Sequence, residues 1–216
     1  MYNFCAFDLD GTLVDTLDSL AYFCNFTLKS LGLDTIPTEK YKQLVGTGAK
    51  NLVKGMLKTV GDGECTLFDK AYETYMREYN ANCLYLAKPY EGIEEMLYRL
   101  KENSIKMAVL SNKPHESTSF IIKSMFGEKM FDACYGNREG IPRKPDPTSL
   151  LGIMKDLGVT SGAYVGDSGT DMETGKNAGL YSIGVLWGFR EKDELLAGGA
   201  DLLVNTPLEI AEMILK

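Results

Sequence analysis

Two aspartates near the N-terminus, Asp8 and Asp10, form a dense pair of chemically useful side chains. They lie two residues apart in the segment DLDGT, directly after the apolar run FCAF, which predicts a buried strand. In an extended segment, side chains two residues apart point to the same side, and Gly11 permits a sharp turn beside them. Paired carboxylates suit a hard cation, and Mg²⁺ commonly binds a few protein oxygens together with a substrate phosphate. Taken alone, the segment fits a solvated strand end or an Asp-Gly turn equally well.

Two further polar segments contain groups that could bind a phosphate. Ser111 and Asn112 directly follow an apolar run, where a hydroxyl and an amide could bind phosphate oxygens or could simply cap the next helix. Lys144 lies in RKPDP, where prolines on both sides of Asp146 restrict the backbone. A lysine held near carboxylates can restrain a nucleophile and neutralise phosphate charge, whereas the alternative is an exposed basic turn.

The segment GDSGTD adds Asp167 and Asp171 after another short apolar run. A helix N-terminus with aspartate caps would explain one of these residues, but less naturally both. With Asp8 and Asp10 they would place a charge of about −4 in one cleft, which needs compensation if it is buried. An approaching phosphate would be repelled further, because two unit charges about 4 Å apart interact by about 4 kcal/mol at an effective dielectric constant near 20. The four carboxylates therefore predict a bound divalent cation.

The apolar pattern predicts the elements that position these groups. Between residues 15 and 88, three stripes of apolar residues at three-to-four spacing predict helices that pack on one another. The first stripe comprises Leu17, Leu20, Ala21, Cys24, Leu28 and Leu31. After Pro89, predicted helices alternate with predicted strands. The predicted strands of this part are 105–110, 130–135, 163–165, 181–186 and 202–204.

Such alternation predicts a parallel sheet covered by helices on both faces, with ligands at the carboxyl ends of its strands. The sequence therefore predicts an α/β protein with a Rossmann-like parallel-sheet core. The predicted core comprises residues 1–14 and 88–216, and an all-helical insertion comprises residues 15–87.

In this order, DLDGT, Ser111, Lys144 and GDSGTD resemble the four motifs of the haloacid dehalogenase superfamily. The insertion resembles the helical cap of that superfamily, and the match is closest to its phosphoglycolate phosphatase-like branch. The resemblance covers nearly the whole chain. It implies a Mg²⁺-dependent phosphatase that hydrolyses a small phosphorylated metabolite through an aspartyl-phosphate.

The resemblance also implies a role for each matching residue. Asp8 would be the nucleophile, and Asp10 would protonate the leaving oxygen and then activate water. Ser111 and Lys144 would hold the transferring phosphate, with assistance from Asn112.

The metal ligands implied by the resemblance are Asp8, the backbone carbonyl of Asp10, and Asp167, with Asp171 binding directly or through a water. Dehalogenases of this superfamily lack an acid at the position of Asp10, so this residue favours phosphoryl transfer over carbon–halogen cleavage. A phosphoglycolate-like monoester is the first substrate class to consider. A pyrophosphatase, a 5′-nucleotidase and a sugar-phosphate mutase on the same core are the alternatives.

Within the insertion, a glycine-rich loop at residues 46–48 opens the second predicted helix. A loop at a helix N-terminus can offer backbone amides to an anionic group, which makes Thr47 and Gly48 candidates for substrate contact. The glycines equally fit a simple end of one helix and start of the next.

Composition excludes several other classes. The chain has 216 residues, a formal net charge of −7 and no long run of Lys or Arg, which argues against a nucleic-acid partner. The five cysteines form no CxxC pair, which argues against a disulfide or zinc framework. The sequence contains no signal-peptide pattern and no apolar run of about 20 residues. We therefore expect a cytoplasmic protein without a membrane partner, as a monomer or homodimer.

The sequence leaves two alternative functions from other classes of protein. The segment around Ser168 superficially resembles that of a serine hydrolase, in which the only histidine, His115, would be the base. A phosphate-accepting signalling domain would use a phosphorylated aspartate as a switch, but the large helical insertion argues against it.

Overall fold

The computed structural model describes residues 2–216 and divides the chain into two compact units. One unit contains the chain up to Asp15 together with Pro89–Lys216, and the other contains Thr16–Lys88. These boundaries lie one residue from the predicted ones, and the function of the second unit as a cap stays a prediction.

The helices and strands follow the predicted alternation closely. The strands are β1 (Phe4–Phe7), β2 (Val14–Asp15), β3 (Lys88–Pro89), β4 (Lys106–Pro114), β5 (Ala133–Asn137), β6 (Ala163–Gly166), β7 (Tyr181–Val185) and β8 (Leu202–Val204). The helices are α1 (Leu17–Ser30), α2 (Ala49–Thr59), α3 (Phe68–Asn82), α4 (Ile93–Glu102), α5 (His115–Phe126), α6 (Thr148–Leu157), α7 (Gly169–Asn177), α8 (Lys192–Ala197) and α9 (Pro207–Leu215), with a 3₁₀ helix at Thr38–Gln43. The sequence patterns did not predict β2, β3, α8 or the 3₁₀ helix, all of which are six residues or shorter.

A six-stranded sheet in the order β5-β4-β1-β6-β7-β8 forms the centre of the first unit. Its neighbouring strands are all parallel, which confirms the predicted α/β core. Since the strands are parallel, β1, β4 and β6 present their carboxyl ends at one edge of the sheet. The register pairs Phe7 with Val109 and with Val165, so the polar residues after these positions emerge close together.

Strand β1 lies between β4 and β6, and all four of its side chains are buried. This explains its uninterrupted apolar sequence, because a central parallel strand is covered on both faces. Phe4 shares a buried cluster with Leu150 and Ile153 of α6. The sheet edge that holds the polar motifs is thereby attached to a well-packed core.

Within the second unit, α1 packs against α2 and α3. The buried side chains of α1 include Leu20, Cys24 and Leu28 of the predicted stripe, and also Phe23. The ring of Phe23 lies 5.5 Å from that of Tyr79 in an edge-to-face arrangement. Burial of such a stripe removes its apolar surface from water, which is why the periodicity predicts these helices well.

One predicted strand was misplaced. The segment 130–135 was predicted to be extended, but β5 covers Ala133–Asn137. Met130 is buried without belonging to a strand, so its apolar character reports burial in the core instead. The strand begins after Asp132, whose carboxylate accepts the backbone N–H of Met107.

No helix among residues 2–216 combines the length and the apolar character needed to cross a lipid bilayer.

Candidate active site

Asp8 and Asp10 lie on the turn that follows β1. The backbone N–H of Asp8 still donates to the carbonyl of Val165 in β6, at 2.9 Å. Gly11 then turns the chain with a φ of 81°, a conformation that favours glycine. A Cβ atom at Gly11 would also collide with the carboxyl group of Asp167. The glycine of DLDGT is therefore required both by the backbone conformation and by the approach of a second acidic motif.

Lys144 is the cation at the centre of the acidic groups. Its Nζ lies 2.9 Å from Oδ1 of Asp8 and 2.7 Å from Oδ1 of Asp171, and its side chain is 2% exposed. The side-chain amide of Asn112 holds the lysine by its backbone. It accepts the N–H of Lys144 at 3.0 Å and donates to the carbonyl of Lys144 at 3.3 Å. Asn112 thus anchors the segment that presents the ammonium group, and its predicted contact with phosphate stays a prediction.

The two acids of GDSGTD have different surroundings. Asp171 forms a capping box with Ser168 at the start of α7, and its Oδ2 accepts the Ser168 hydroxyl at 2.6 Å. Asp167 is not part of this cap. Its Oδ2 accepts the backbone N–H of Phe189 at 2.8 Å, and its Oδ1 lies 3.5 Å from the hydroxyl of Thr12. The helix-cap interpretation therefore accounts for one of the two aspartates.

The acidic cluster has the composition and the size of a cation site. Asp8, Asp167 and Asp171 are buried, and each offers a carboxylate oxygen within 4.8 Å of the other two. Oxygens bound on opposite sides of one Mg²⁺ are about 4.2 Å apart, since each Mg–O distance is about 2.1 Å. Both oxygens of Asp171 are held at short distance, by Lys144 at 2.7 Å and by Ser168 at 2.6 Å, whereas Oδ1 of Asp167 has only a 3.5 Å contact. Asp8 and Asp167 are therefore the better direct ligands. The residues present therefore fit Mg²⁺.

Burial dominates the electrostatics of this cluster. Burial and, to a smaller extent, the Asp171 carboxylate raise the pKa of Asp8, the Lys144 ammonium opposes them, and the net pKa is about 6. Burial, followed by the charges of Asp171 and Asp8, also raises the pKa of Asp167 well above its usual range. For Lys144, burial favours the neutral form, but Asp171 and Asp8 raise its pKa well above the ordinary value. One ammonium among three buried carboxylates leaves excess negative charge, which a divalent cation would offset.

Ser111 and Asn112 belong to β4, which continues to Pro114. Helix α5 begins at His115 with Pro114 at its N-cap position, so the alternative that Ser111 or Asn112 caps this helix is wrong. The Ser111 hydroxyl instead accepts the backbone N–H of Lys113 at 3.3 Å. Both side chains remain at the carboxyl end of a central strand.

Lys113 is a site residue that the sequence patterns missed. Its Nζ lies 2.9 Å from each carboxylate oxygen of Asp10. The two side chains are 4% and 11% exposed, respectively. Strand alternation offered a signal, because residues 111 and 113 share one side of a regular strand.

A loop after β7 attaches to the turn of the first motif. The indole N–H of Trp187 donates to the carbonyl of Thr12 at 3.0 Å. Gly188 lies so close to Asp167 and Gly11 that a Cβ atom would overlap with both. These contacts, with the Phe189 N–H described above, fix the orientation of the Asp167 carboxylate. No local pattern in the sequence indicates that this loop orients the carboxylate of Asp167.

The glycine-rich loop of the second unit lies at the predicted helix start. Gly48, with a φ of 93°, directly precedes α2, and the carbonyl of Thr47 accepts the side-chain amide of Asn51 at 3.2 Å. Substrate contact by Thr47 and Gly48 stays a prediction.

The geometry does not favour a serine hydrolase. Ser168 donates its hydroxyl proton to a carboxylate of its own helix cap, whereas a serine nucleophile needs a basic imidazole. The Nδ1 of His115 accepts the backbone N–H of Gly136 at 3.2 Å. Both residues therefore have other, structural partners.

Comparisons with known proteins agree with the motif order and the fold. The family model described as haloacid dehalogenase-like hydrolase matches residues 5–185. Phosphoglycolate phosphatase of Aquifex aeolicus is 30% identical over 211 residues, covering 96% of this chain and 94% of the relative. Phosphoglycolate phosphatase of Neisseria meningitidis is 32% identical over 214 residues, covering 96% and 91%.

A solved structure from Lactobacillus delbrueckii subsp. bulgaricus, whose assignment as a phosphoglycolate phosphatase is provisional, superposes with a TM-score of 0.90 at 28% identity. The match covers 99% of this chain and 98% of that one. The family match, the relatives and the shared fold lead to one conclusion: the chain belongs to the haloacid dehalogenase-like hydrolases, in their phosphoglycolate phosphatase-like branch, and is a phosphoric monoester hydrolase.

Proposed function

We propose that this hydrolase is a Mg²⁺-dependent phosphatase that transfers the phosphoryl group of a small monoester to Asp8 and then to water. One observation carries the proposal. Asp8, at the end of the central strand, shares one buried ammonium with Asp171. One of its carboxylate oxygens lies within 4.8 Å of a carboxylate oxygen of Asp167, so both could bind the same ion. A nucleophile, a phosphate-neutralising cation and a metal-binding carboxylate are thereby gathered at one sheet edge.

In the first step, Asp8 attacks phosphorus. Its Oδ1 accepts the Leu9 N–H at 2.7 Å and the Lys144 ammonium at 2.9 Å, which leaves Oδ2 as the attacking oxygen. The new Asp8 O–P bond forms as the bond from phosphorus to the substrate oxygen breaks, and protonated Asp10 donates its proton to that oxygen. Ser111 and Lys144 bind the phosphoryl oxygens, where negative charge is spread in the transition state.

In the second step, Asp10 is a carboxylate and acts as the base. It takes a proton from water, whose oxygen attacks the phosphorus of the aspartyl-phosphate. The bond between phosphorus and the Asp8 oxygen breaks, inorganic phosphate leaves, and the Asp8 carboxylate is restored. Asp10 carries a proton again, so the cycle closes without any other reactant.

Asp8, Asp167 and the backbone carbonyl of Asp10 would hold Mg²⁺, and Asp171 would bind it through a water. When bound, the ion supplies positive charge that reduces repulsion between the acidic cluster and the phosphate. Asp171 also orients the chain's own cation, because its Oδ1 contacts Lys144 while its Oδ2 is held by Ser168.

For the substrate, we propose a small phosphate monoester of the phosphoglycolate type. The relatives named phosphoglycolate phosphatase support this choice, since they match along nearly their whole length. A panel of phosphorylated metabolites, with phosphate release measured in Mg²⁺, tests it. A preference for nucleotides or pyrophosphate over phosphoglycolate would contradict the substrate class without contradicting the mechanism.

The mechanism is tested with Asp8→Asn, because this change keeps the volume and removes the nucleophile. We expect no turnover and no acid-stable trapping of ³²P from labelled substrate, whereas the wild-type enzyme gives a labelled Asp8 peptide. Asp193→Asn is the matched control, since Asp193 is an exposed residue in the first turn of α8. Near wild-type hydrolysis by a purified Asp8→Asn enzyme would exclude the mechanism.

A further inference from the structure

We infer that Lys113 is a positioning residue, which holds the carboxylate of Asp10 by both oxygens in the orientation needed for proton transfer. The inference rests on the proposed function, in which Asp10 is the acid and base. Its basis is the contact of one Nζ with both carboxylate oxygens, each at 2.9 Å. A single hydrogen bond would leave the carboxylate able to rotate, whereas two contacts restrict that rotation.

Both side chains of the pair are largely shielded from water. The Lys113 side chain is 4% exposed and that of Asp10 is 11% exposed. A buried charge that loses its partner is strongly unfavourable, so the two groups hold each other in place. Exposed ion pairs of this protein, such as that of Lys106 with Asp132, lack this constraint because their lysine is 50% exposed.

The backbone of Asp10 is fixed independently of its side chain. Asp10 forms an isolated bridge with Val14, and the N–H of Gly11 donates to the Val14 carbonyl at 2.9 Å. The turn therefore places the Cα atom, and Lys113 sets the direction of the carboxylate. This separation means that a change at Lys113 can misplace the acid without removing it.

Lys113 also connects two parts of the site through β4. Its backbone N–H donates to the Ser111 hydroxyl, which is proposed to bind phosphate, while its ammonium binds Asp10. Lys144 contacts Asp8 and Asp171. The two buried lysines thus contact different parts of the acidic cluster, one at the nucleophile and one at the acid and base.

Positioning of this kind has a kinetic signature. A misplacement of about 1 Å in a catalytic group can cost on the order of 10²-fold in rate. In the first step the loss depends on the leaving group, because a basic alkoxide needs a proton from Asp10 whereas p-nitrophenolate leaves readily without one. The second step is the same for every substrate, so the comparison uses kcat/KM, which does not include it. A residue that only stabilises the fold would lower both rates alike.

The test compares Lys113→Met with wild-type enzyme on phosphoglycolate and on p-nitrophenyl phosphate, in saturating Mg²⁺. We expect kcat/KM for phosphoglycolate, which reports the steps up to departure of the leaving group, to fall on the order of 10²-fold, with a much smaller fall for p-nitrophenyl phosphate. Lys106→Met is the matched control, because it removes an ion pair from the same strand at the opposite end of β4. It should leave both rates unchanged.

A double variant decides whether Lys113 acts through Asp10. If it does, adding Lys113→Met to Asp10→Asn lowers kcat no further. Lys113→Arg should recover part of the lost rate, since a guanidinium can also contact both carboxylate oxygens. An additive loss in the double variant, or equal losses of kcat/KM on both substrates, overturns the inference. If Lys113→Met does not fold by circular dichroism, Lys113→Gln is used for the same comparison and is judged by the same outcomes.

The same data separate this inference from the proposed function. If Asp10→Asn hydrolyses phosphoglycolate at the wild-type rate, Asp10 is not the acid, and the proposed mechanism fails together with the inference. If Asp10→Asn is inactive on phosphoglycolate and Lys113→Met or its glutamine substitute is fully active, only the inference fails.

Discussion

Asp171 accepts a hydrogen bond from the ammonium of Lys144 at 2.7 Å, although its other carboxylate oxygen belongs to the cap of α7. One side chain therefore starts a helix and also orients the cation beside Asp8. Because the side chain of Asp171 is wholly buried, neither contact can be replaced easily by water.

Replacement of Asp171 by asparagine should affect both functions. Asparagine keeps an oxygen that can accept from Ser168, but it cannot pair its charge with Lys144. We expect a lower melting temperature and a lower kcat, with less loss of Mg²⁺ affinity than in Asp167→Asn, whose carboxylate is the better direct ligand. Thermal unfolding measures the melting temperature, and activity titrated with Mg²⁺ measures the affinity for the ion. An unchanged melting temperature would contradict a stabilising effect of the ion pair between Asp171 and Lys144.

Removal of the Lys144 ammonium should destabilise the protein strongly. Lys144→Met leaves buried carboxylates without their cation, and breaking a buried ion pair costs about 3–5 kcal/mol. We expect a loss of that order in the free energy of unfolding from urea denaturation in EDTA, together with loss of phosphate release. Lys176→Met is the control, because Lys176 is 48% exposed and lies 3.4 Å from Asp201, and it should change the free energy of unfolding by less than about 1 kcal/mol.

Binding of Mg²⁺ should be visible without any substrate. A ligand that binds only the folded state at about 100 times its Kd raises the free energy of unfolding by about 2.7 kcal/mol. We expect Mg²⁺ to raise the melting temperature of the wild-type protein and EDTA to reverse the effect. Asp167→Asn should abolish the shift, while Asp193→Asn should keep it. A shift that survives in Asp167→Asn would place the ion elsewhere.

The raised pKa of Asp8 predicts a defined pH dependence in the absence of metal. The pKa rises from an ordinary value of 3.8 to about 6, so the folded protein binds this proton more tightly than the unfolded chain does. The contribution of Asp8 to stability is therefore largest below about pH 4 and falls as the pH rises through about 6.

The difference in the free energy of unfolding between wild type and Asp8→Asn compares the protein with and without this titrating group. In EDTA we expect wild type to lose about 3 kcal/mol relative to the variant between pH 4 and pH 7, from ~1.4 kcal/mol per pKa unit. Since Mg²⁺ competes with the proton, its apparent affinity should rise over the same range. A pH-independent difference between the two proteins would contradict the assigned pKa direction.

Local patterns in the sequence were sufficient for most of the fold. The apolar run at Phe4–Phe7 predicted a buried strand, and the spacing of Leu20, Cys24 and Leu28 predicted α1. These signals are local because each depends on the alternation or helical period of neighbouring side chains. The predicted strand at 130–135 began too early for the same reason, since burial of Met130 produces an apolar signal without a strand.

By itself, the sequence determined which chemical groups the protein has and the order in which they occur, from Asp8 to Asp171. The tertiary structure decided which of them meet. Lys113 is separated from Asp10 by 103 positions, and the N–H of Phe189 reaches Asp167 from a loop after another strand. Such partners depend on the order of strands across the sheet and on the path of the connecting loops. Neither property follows from the spacing of residues along one strand or helix, because contacts between distant segments form only when the whole core packs.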